Sequence, residues 1–166
     1  MKLRFTKRNA FRRIRFSSAF LLGLAAFIFC GCQSTKQKLF VVSGTGWSIQ
    51  QGQATWRPKA SMPEFSGDLV LARDATGRCL IQFDKTPMAI LNAQVTTNEW
   101  LISFPQRQMS FGGHGRGWTR FAWLYLPAAL DGRQLPKDFR FERRTDDGWR
   151  LENSRTGETV EGFLAP

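Results

Sequence analysis

The sequence predicts a mainly β protein: an antiparallel sheet that curls into an open half-barrel, with one or two short helices as a lid, after an N-terminal signal peptide. Three observations support this prediction. The first 32 residues combine a basic leader, an apolar run and a cysteine. Residues 47–164 alternate between apolar and polar positions, which is typical of half-buried strands. Gly, Asn and Asp residues separate these segments, as they do in hairpin turns.

The N-terminal segment has the three parts of an export signal. Seven basic residues and no acidic residue precede position 33, and an uncharged apolar run follows over residues 19–30. A basic leader, an apolar core and small residues at the end define a secretory signal. The run is shorter than the ~20 apolar residues that span a bilayer. We therefore expect residues 1–31 to be a cleaved signal peptide; the alternatives are an incidental cysteine after an ordinary signal, or an uncleaved anchor.

The residues Phe29-Cys30-Gly31-Cys32 resemble the bacterial lipoprotein box, in which a small residue precedes the lipidated cysteine. The resemblance implies that Cys32 is the first mature residue and carries acyl chains such as palmitate. Two or three chains anchor a protein stably, whereas one chain holds it only marginally. Gln33 follows the cysteine, and by resemblance to bacterial sorting rules this favours the periplasmic face of the outer membrane over the inner membrane. Residues 32–38 are then a lipidated tether.

Composition excludes several classes of protein. The net charge is +11, but seven of the 24 basic residues lie in the leader, so the mature chain carries +4. Its basic residues are scattered, whereas a nucleic-acid-binding protein needs a clustered basic face; we expect no nucleic-acid partner. After cleavage and acylation, Cys79 has no cysteine to pair with, so a disulfide is excluded. Cys79 alternates with Ile81 and Phe83 and is predicted to be a small buried apolar residue.

The remaining residues, 39–166, are predicted to form the β domain. We expect about nine short strands joined as an antiparallel meander. The alternation is clearest in residues 69–72, 79–83, 100–104, 139–142 and 149–152. Helical pattern is scarce, and the best candidate covers residues 119–130, where Pro127 is expected to interrupt it. We therefore predict one short helix or helical turn packed on the sheet.

The inward positions of these strands carry many large apolar side chains. A single flat sheet cannot hide so much aromatic surface, so the sheet must be covered or must curl into a half-barrel or barrel. An open cavity and a fully packed core are equally consistent with the pattern. If there is a cavity, the sequence predicts that it is lined by Leu69, Leu71, Ile81, Phe83, Trp100, Ile102 and Phe104.

No catalytic or metal-binding pattern is present in the sequence. His114 is the only histidine, within the glycine-rich residues 112–117, which are predicted to be a mobile loop whose neighbours Arg116 and Arg120 could touch an anionic head group. Asp146 and Asp147 are turn residues, and other paired carboxylates point to opposite faces of a strand. A hydrolase would need a polar cluster around His114 or facing carboxylates. We predict no enzyme activity, no metal and no cofactor.

The C-terminal third contains Phe121-Ala122-Trp123-Leu124-Tyr125-Leu126-Pro127, then Leu135-Pro136, then Asp147-Gly148-Trp149-Arg150-Leu151-Glu152. This order resembles the LolA/LolB family of outer-membrane lipoprotein carriers and receptors, and residues 80–104 are similar to that family's sheet. The resemblance implies an open antiparallel barrel with a helical lid and a hydrophobic cavity. In that family the cavity receives the acyl chains of lipoproteins in transit to the outer membrane. The long first helix of the family has no counterpart in residues 39–46.

The sequence thus predicts a membrane-anchored protein that binds lipids or lipoproteins and takes part in lipoprotein localisation. Acyl chains or lipoproteins would be its ligands, and the lipid anchor would attach it to the membrane. The alternative is a structural or interaction lipoprotein of the envelope with a solid core and no ligand cavity. The oligomeric state is left open.

Overall fold

The computed structural model describes residues 38–144 and 147–165. The predicted signal peptide (1–31), Cys32 and all of the tether except Lys38 lie outside these residues and stay predictions. Residues 36–166 form one compact unit with its own hydrophobic core. A segment with its own core is able to fold by itself.

The described residues contain nine strands, all in one antiparallel sheet. The strands are β1 (Trp47–Arg57), β2 (Phe65–Asp74), β3 (Cys79–Lys85), β4 (Met88–Val95), β5 (Glu99–Phe104), β6 (Met109–His114), β7 (Phe139–Arg143), β8 (Gly148–Asn153) and β9 (Glu158–Leu164). Their order across the sheet is β6-β5-β4-β3-β2-β1-β9-β8-β7. The sheet curls without closing into a barrel. The predicted open antiparallel half-barrel is therefore confirmed.

Alternation along the strands selects the face that is buried. In β3, Cys79, Ile81 and Phe83 are buried while the residues between them are partly exposed. Ile81 lies opposite Leu71 on β2 and Ala93 on β4, and both partners are buried as well. Because successive side chains of a strand point to opposite faces, this register gathers the apolar residues on the concave side of the sheet.

Two glycines allow the sheet to curl where β1 meets β9. A side chain on Gly52 would overlap the carbonyl oxygen of Phe163, and one on Gly162 would overlap that of Gln53. Glycine in a strand permits such a close approach of two backbones. Only the second half of β1, from Gly52 onward, pairs with β9. The glycines therefore let the backbones of β1 and β9 approach closely along this half of β1.

The segment between β6 and β7 covers part of the concave side. It contains a 3-10 turn over Ala122–Tyr125 and helix α1 over Leu126–Leu130, so the predicted short helix is confirmed. Pro127 does not interrupt this helix; it lies in the first turn, where the missing N–H costs no hydrogen bond. Trp123 and Leu126 are fully buried against the sheet. A further 3-10 turn covers Pro105–Arg107, and no helix in the described part of the chain has the length and hydropathy needed to cross a bilayer.

The predicted glycine-rich loop over residues 112–117 is wrong for residues 112–114, whereas residues 115–117 lie outside the strands. Gly112, Gly113 and His114 belong to β6, the edge strand, and Gly113 lies opposite Trp100 on β5. A Cβ on Gly113 would stand 2.9 Å from the Trp100 ring. The glycine therefore makes room for the indole ring, which explains a run of glycines that looks like a loop in the sequence.

Candidate functional site

A cavity of about 470 Å³ opens at one end of the half-barrel. This end cavity lies where β1, β3 and β5 end and β2, β4, β6 and β9 begin. Its volume falls within the ~300–1,000 Å³ that is usual for small-molecule sites. The residues that line it are Trp56, Pro58, Lys59, Met62, Phe65, Lys85, Met88, Ile90, Phe104, Gln106, Arg107, Met109, Phe111, Arg120, Phe121, Thr156 and Glu158.

Apolar side chains make up most of the wall of the end cavity. Ten of its 17 lining residues are apolar, and they include Met62, Met88 and Met109, which are all of the chain's methionines except the initiator. Methionine side chains are unbranched and adapt to ligands of irregular shape. Phe121 contributes an aromatic wall, with its ring centroid 5.7 Å from Phe104 and 5.5 Å from Phe111.

A β-bulge directs two of these side chains into the end cavity. Phe83 pairs with Leu91 and Asp84 with Ala89, so Ile90 is an extra residue in β4. A bulge changes which residues of a strand point to a given face. Ile90 and Met88 consequently line the cavity, although strict alternation from buried Leu91 assigns both to the opposite face. This is why sequence reasoning missed them.

Glu158 is the one acidic residue that lines the end cavity, and it is 2% exposed. Its Oε1 accepts a hydrogen bond from Trp56 Nε1 at 2.9 Å, and its Oε2 accepts one from the Ala122 backbone N–H at 2.7 Å. Burial raises the pKa of this carboxyl to about 7, although the two hydrogen bonds and the Arg120 charge act to lower it. Both carboxylate oxygens are thus occupied by protein donors.

Four basic side chains, from Lys59, Lys85, Arg107 and Arg120, also line the end cavity, and all four are exposed. None of them forms an ion pair with another described residue. Arginines that do pair with carboxylates lie elsewhere: Arg57, Arg73, Arg78, Arg133, Arg144, Arg150 and Arg155. The cavity therefore combines an apolar wall with an excess of positive charge at its surface. We call the four residues the cation ring.

The residues predicted to line a cavity separate into two groups. Phe104 lines the end cavity. The other six, Leu69, Leu71, Ile81, Phe83, Trp100 and Ile102, belong to the packed core, where all but Trp100 are fully buried. The helical segment fills the space on the concave side of the sheet above these six side chains. The Trp123 ring of this segment lies 5.0 Å from the Phe83 ring. The centre of the half-barrel is solid, and the cavity is confined to its end.

The other residues singled out in the sequence also have definite places. Arg120 lines the end cavity, whereas Arg116 is not among its lining residues. His114 is 87% exposed on its side chain, with Nδ1 at 3.3 Å from Glu99 Oε1 at the opposite end of β5. Cys79 is buried as predicted, and burial raises its pKa to about 12. Among the described residues, no group of three or more His, Cys, Asp or Glu could hold a metal ion.

The three non-initiator methionines are a signal that could have pointed to this site from the sequence, because no alternating pattern accounts for Met62, Met88 and Met109.

No protein-family model matches the chain, and no curated protein matches it significantly. The functional assignment therefore depends on the chemistry of the end cavity.

Proposed function

We propose that this protein binds the acyl chains of lipids or lipoproteins while acyl chains on Cys32 hold it at the outer membrane, facing the periplasm. Its task in this proposal is lipoprotein localisation, and it acts by binding without a chemical step. The lipoprotein-box resemblance of Phe29–Cys32 and the LolA/LolB-like order of residues 121–152 support the location and the ligand class.

The end cavity is the observation that carries the proposal. Acyl chains are long, apolar and flexible, and they bind by removing apolar surface from water at roughly 25 cal/mol per Å². The wall of Phe65, Phe104, Phe111 and three methionines supplies apolar surface that is open at the end of the sheet. Met88 and Met109 are 50% and 41% exposed, so an inserted chain would cover them.

A binding titration tests the proposal directly. Residues 36–166 are titrated into a fluorescent acyl probe with a neutral head group, and we expect saturable binding. Met88→Asp places a charge on the cavity wall and should weaken binding at least about tenfold. Ile49→Asp is the matched control, because Ile49 is equally apolar, 56% exposed and outside the cavity lining; this variant should bind like wild type.

The packed centre beneath Trp123 favours the rival function, a structural or interaction lipoprotein. That rival makes no use of the end cavity and predicts no saturable uptake of acyl chains. If wild type shows no saturable binding, or if both aspartate variants lose the probe to the same degree while folded, the acyl-binding proposal is wrong and the rival stands.

A further inference from the structure

We propose that the natural ligand of the end cavity is an amphiphile with an anionic head group, a carboxylate or a phosphate, held by the cation ring. This inference rests on the proposed acyl binding, adds the chemistry of the head group, and selects an anionic lipid over a lipoprotein, whose acylated end carries neither a carboxylate nor a phosphate. In this arrangement the chain lies among the aromatic and methionine side chains, and the head group stays at the mouth.

The first support is the charge balance of the end cavity. The cation ring contributes four positive charges, and Glu158 is the only acid among the lining residues. Glu158 has both oxygens bonded to Trp56 and Ala122; the Arg120 charge acts on it, but no member of the cation ring lies within ion-pair distance of its oxygens. Elsewhere in the described chain seven arginines pair with carboxylates, whereas the cation ring has no such partner. An anionic head group would supply one.

The second support is the placement of the four charges. Lys59 lies in the connection after β1 and Lys85 at the end of β3, while Arg107 lies between β5 and β6, and Arg120 just before the helical segment. Four separate elements thus bring a cation to one opening. Such convergence at the end of an apolar wall matches a molecule with one charged end and one apolar end.

Arg120 has the geometry to orient a head group. Its guanidinium carbon lies 5.6 Å from the centre of the Trp118 ring, and a cation held over an aromatic face is positioned by the ring. A guanidinium can bind the two oxygens of a carboxylate or phosphate at once. Trp118 itself is 42% exposed and lies against Phe111 and Phe121 of the cavity wall, with centroids 5.9 and 5.6 Å away.

Competition among three ligands of equal chain length tests the inference. A fatty acid, a monoalkyl phosphate and a fatty alcohol each displace the neutral-headed acyl probe from residues 36–166 at low salt. We expect the two anions to displace it at concentrations about fivefold lower than the alcohol, the upper end of the range for an exposed ion pair. Raised salt should reduce this preference, because exposed charges are screened. The order of the two anions distinguishes a carboxylate source from a phosphate source.

Charge reversal provides the matched comparison. Lys85→Glu with Arg107→Glu should abolish the preference for the two anions over the alcohol. Arg140→Glu, an exposed position outside the cavity, should keep the wild-type preference. Equal displacement by all three ligands at every salt concentration overturns the anionic head group but leaves acyl binding in place. Failure of the probe itself to bind overturns both proposals.

Discussion

Glu158 connects three parts of the fold through one buried carboxyl group. It lies at the start of β9, and its hydrogen bonds reach Trp56 at the end of β1 and the backbone of Ala122 in the helical segment. Trp56 in turn packs against Phe65 and Phe104, with centroids 6.1 and 6.2 Å away. The carboxyl group therefore holds in place both Trp56, which lines the end cavity, and the helical segment that covers the sheet.

Stability should fall as pH rises through the titration of Glu158. Burial raises the folded-state pKa from the usual 4.5 to about 7, so the folded protein holds the proton more tightly than the unfolded chain. The stabilisation is fully present below pH 4.5 and is lost between pH 4.5 and 7. The loss is on the order of 3 kcal/mol. Urea unfolding of residues 36–166 at pH 5 and pH 8 measures it.

Two glutamine variants separate this effect from the rest of the titration. Glu158→Gln cannot ionise and should remove most of the change in unfolding free energy between pH 5 and pH 8. Glu142→Gln, at an exposed position on β7, should keep the wild-type change. If wild type and Glu158→Gln showed the same change in unfolding free energy between pH 5 and pH 8, the carboxyl group would titrate normally in the folded protein.

The proposed lipid anchor at Cys32 makes a prediction about where the full chain is found. Cys32→Ala removes the thiol that would carry the acyl chains, and we expect the protein to leave the outer-membrane fraction. Mass spectrometry of the mature wild-type protein should find an acylated N-terminal cysteine. A mature chain that begins at another residue without a lipid would contradict the anchor.

Among the elements, the helical segment is the one that turns a curled sheet into a packed domain. Trp123 lies between the rings of Phe83 and Trp56, 5.0 and 6.1 Å away. The buried indole fills the concave side of the sheet, where the sequence was equally consistent with a cavity and with a solid core. Alternation in the strands could not predict that Trp123 fills this space, because a short helical segment can pack over a sheet or beside it.

Trp123→Ala should destabilise the domain by about 3–5 kcal/mol, the usual cost of removing a large buried aromatic side chain. Trp118→Ala is the control, since Trp118 is 42% exposed and its removal should cost much less. Urea unfolding of both variants measures the difference. Similar losses for the two tryptophans would mean that Trp123 does not close the core.

Other elements show what alternation in the sequence can and cannot predict. The strands around Ile81 and Trp100 were predictable, because one face of each is buried and the side-chain period is two. The bulge at Ile90 was not, since it depends on a mismatch in length between β3 and β4. That Gly113 lies in a strand was hidden as well, because the Trp100 ring on the neighbouring strand leaves room only for a glycine there, and glycines in a sequence usually indicate a turn.

At the scale of the whole molecule, the curl of the sheet followed from the amount of apolar surface to be hidden. The placement of the cavity did not. The cation ring comes from four elements that are distant in sequence, from Lys59 to Arg120, and only the fold brings them to one opening. A sequence shows such residues as scattered surface charges.

The chain enters the domain at the end of the sheet opposite the cavity mouth. The Leu39 N–H donates to Gln94 Oε1, and Gln94 Nε2 donates to the Phe40 carbonyl, at 2.7 and 2.8 Å. Phe40 stacks on Trp47, the first residue of β1, at 5.6 Å.

The mouth lies beyond Arg57, where β1 ends. The 11 residues of β1 span about 35 Å, whereas the chain from Cys32 to Leu39 reaches about 25 Å at most.

An anchor at Cys32 should therefore leave the cavity mouth away from the anchoring membrane. Thr97→Cys marks the turn near the chain entry, and Gln106→Cys marks the mouth; both positions are exposed. With a fluorophore on either cysteine of the lipidated full chain in vesicles, lipid-borne quenchers should quench position 97 more strongly. Stronger quenching at position 106 would place the mouth on the bilayer and contradict this orientation.

The most direct measurement of acyl binding uses the methionine methyl groups. In residues 36–166 the native methionines are Met62, Met88 and Met109, and all three line the end cavity. With ¹³C-labelled methyl groups, titration with a fatty acid should shift all three NMR signals along one saturation curve with one Kd. If the fatty acid leaves the three signals unchanged, or shifts them without saturation, the end cavity does not hold an acyl chain.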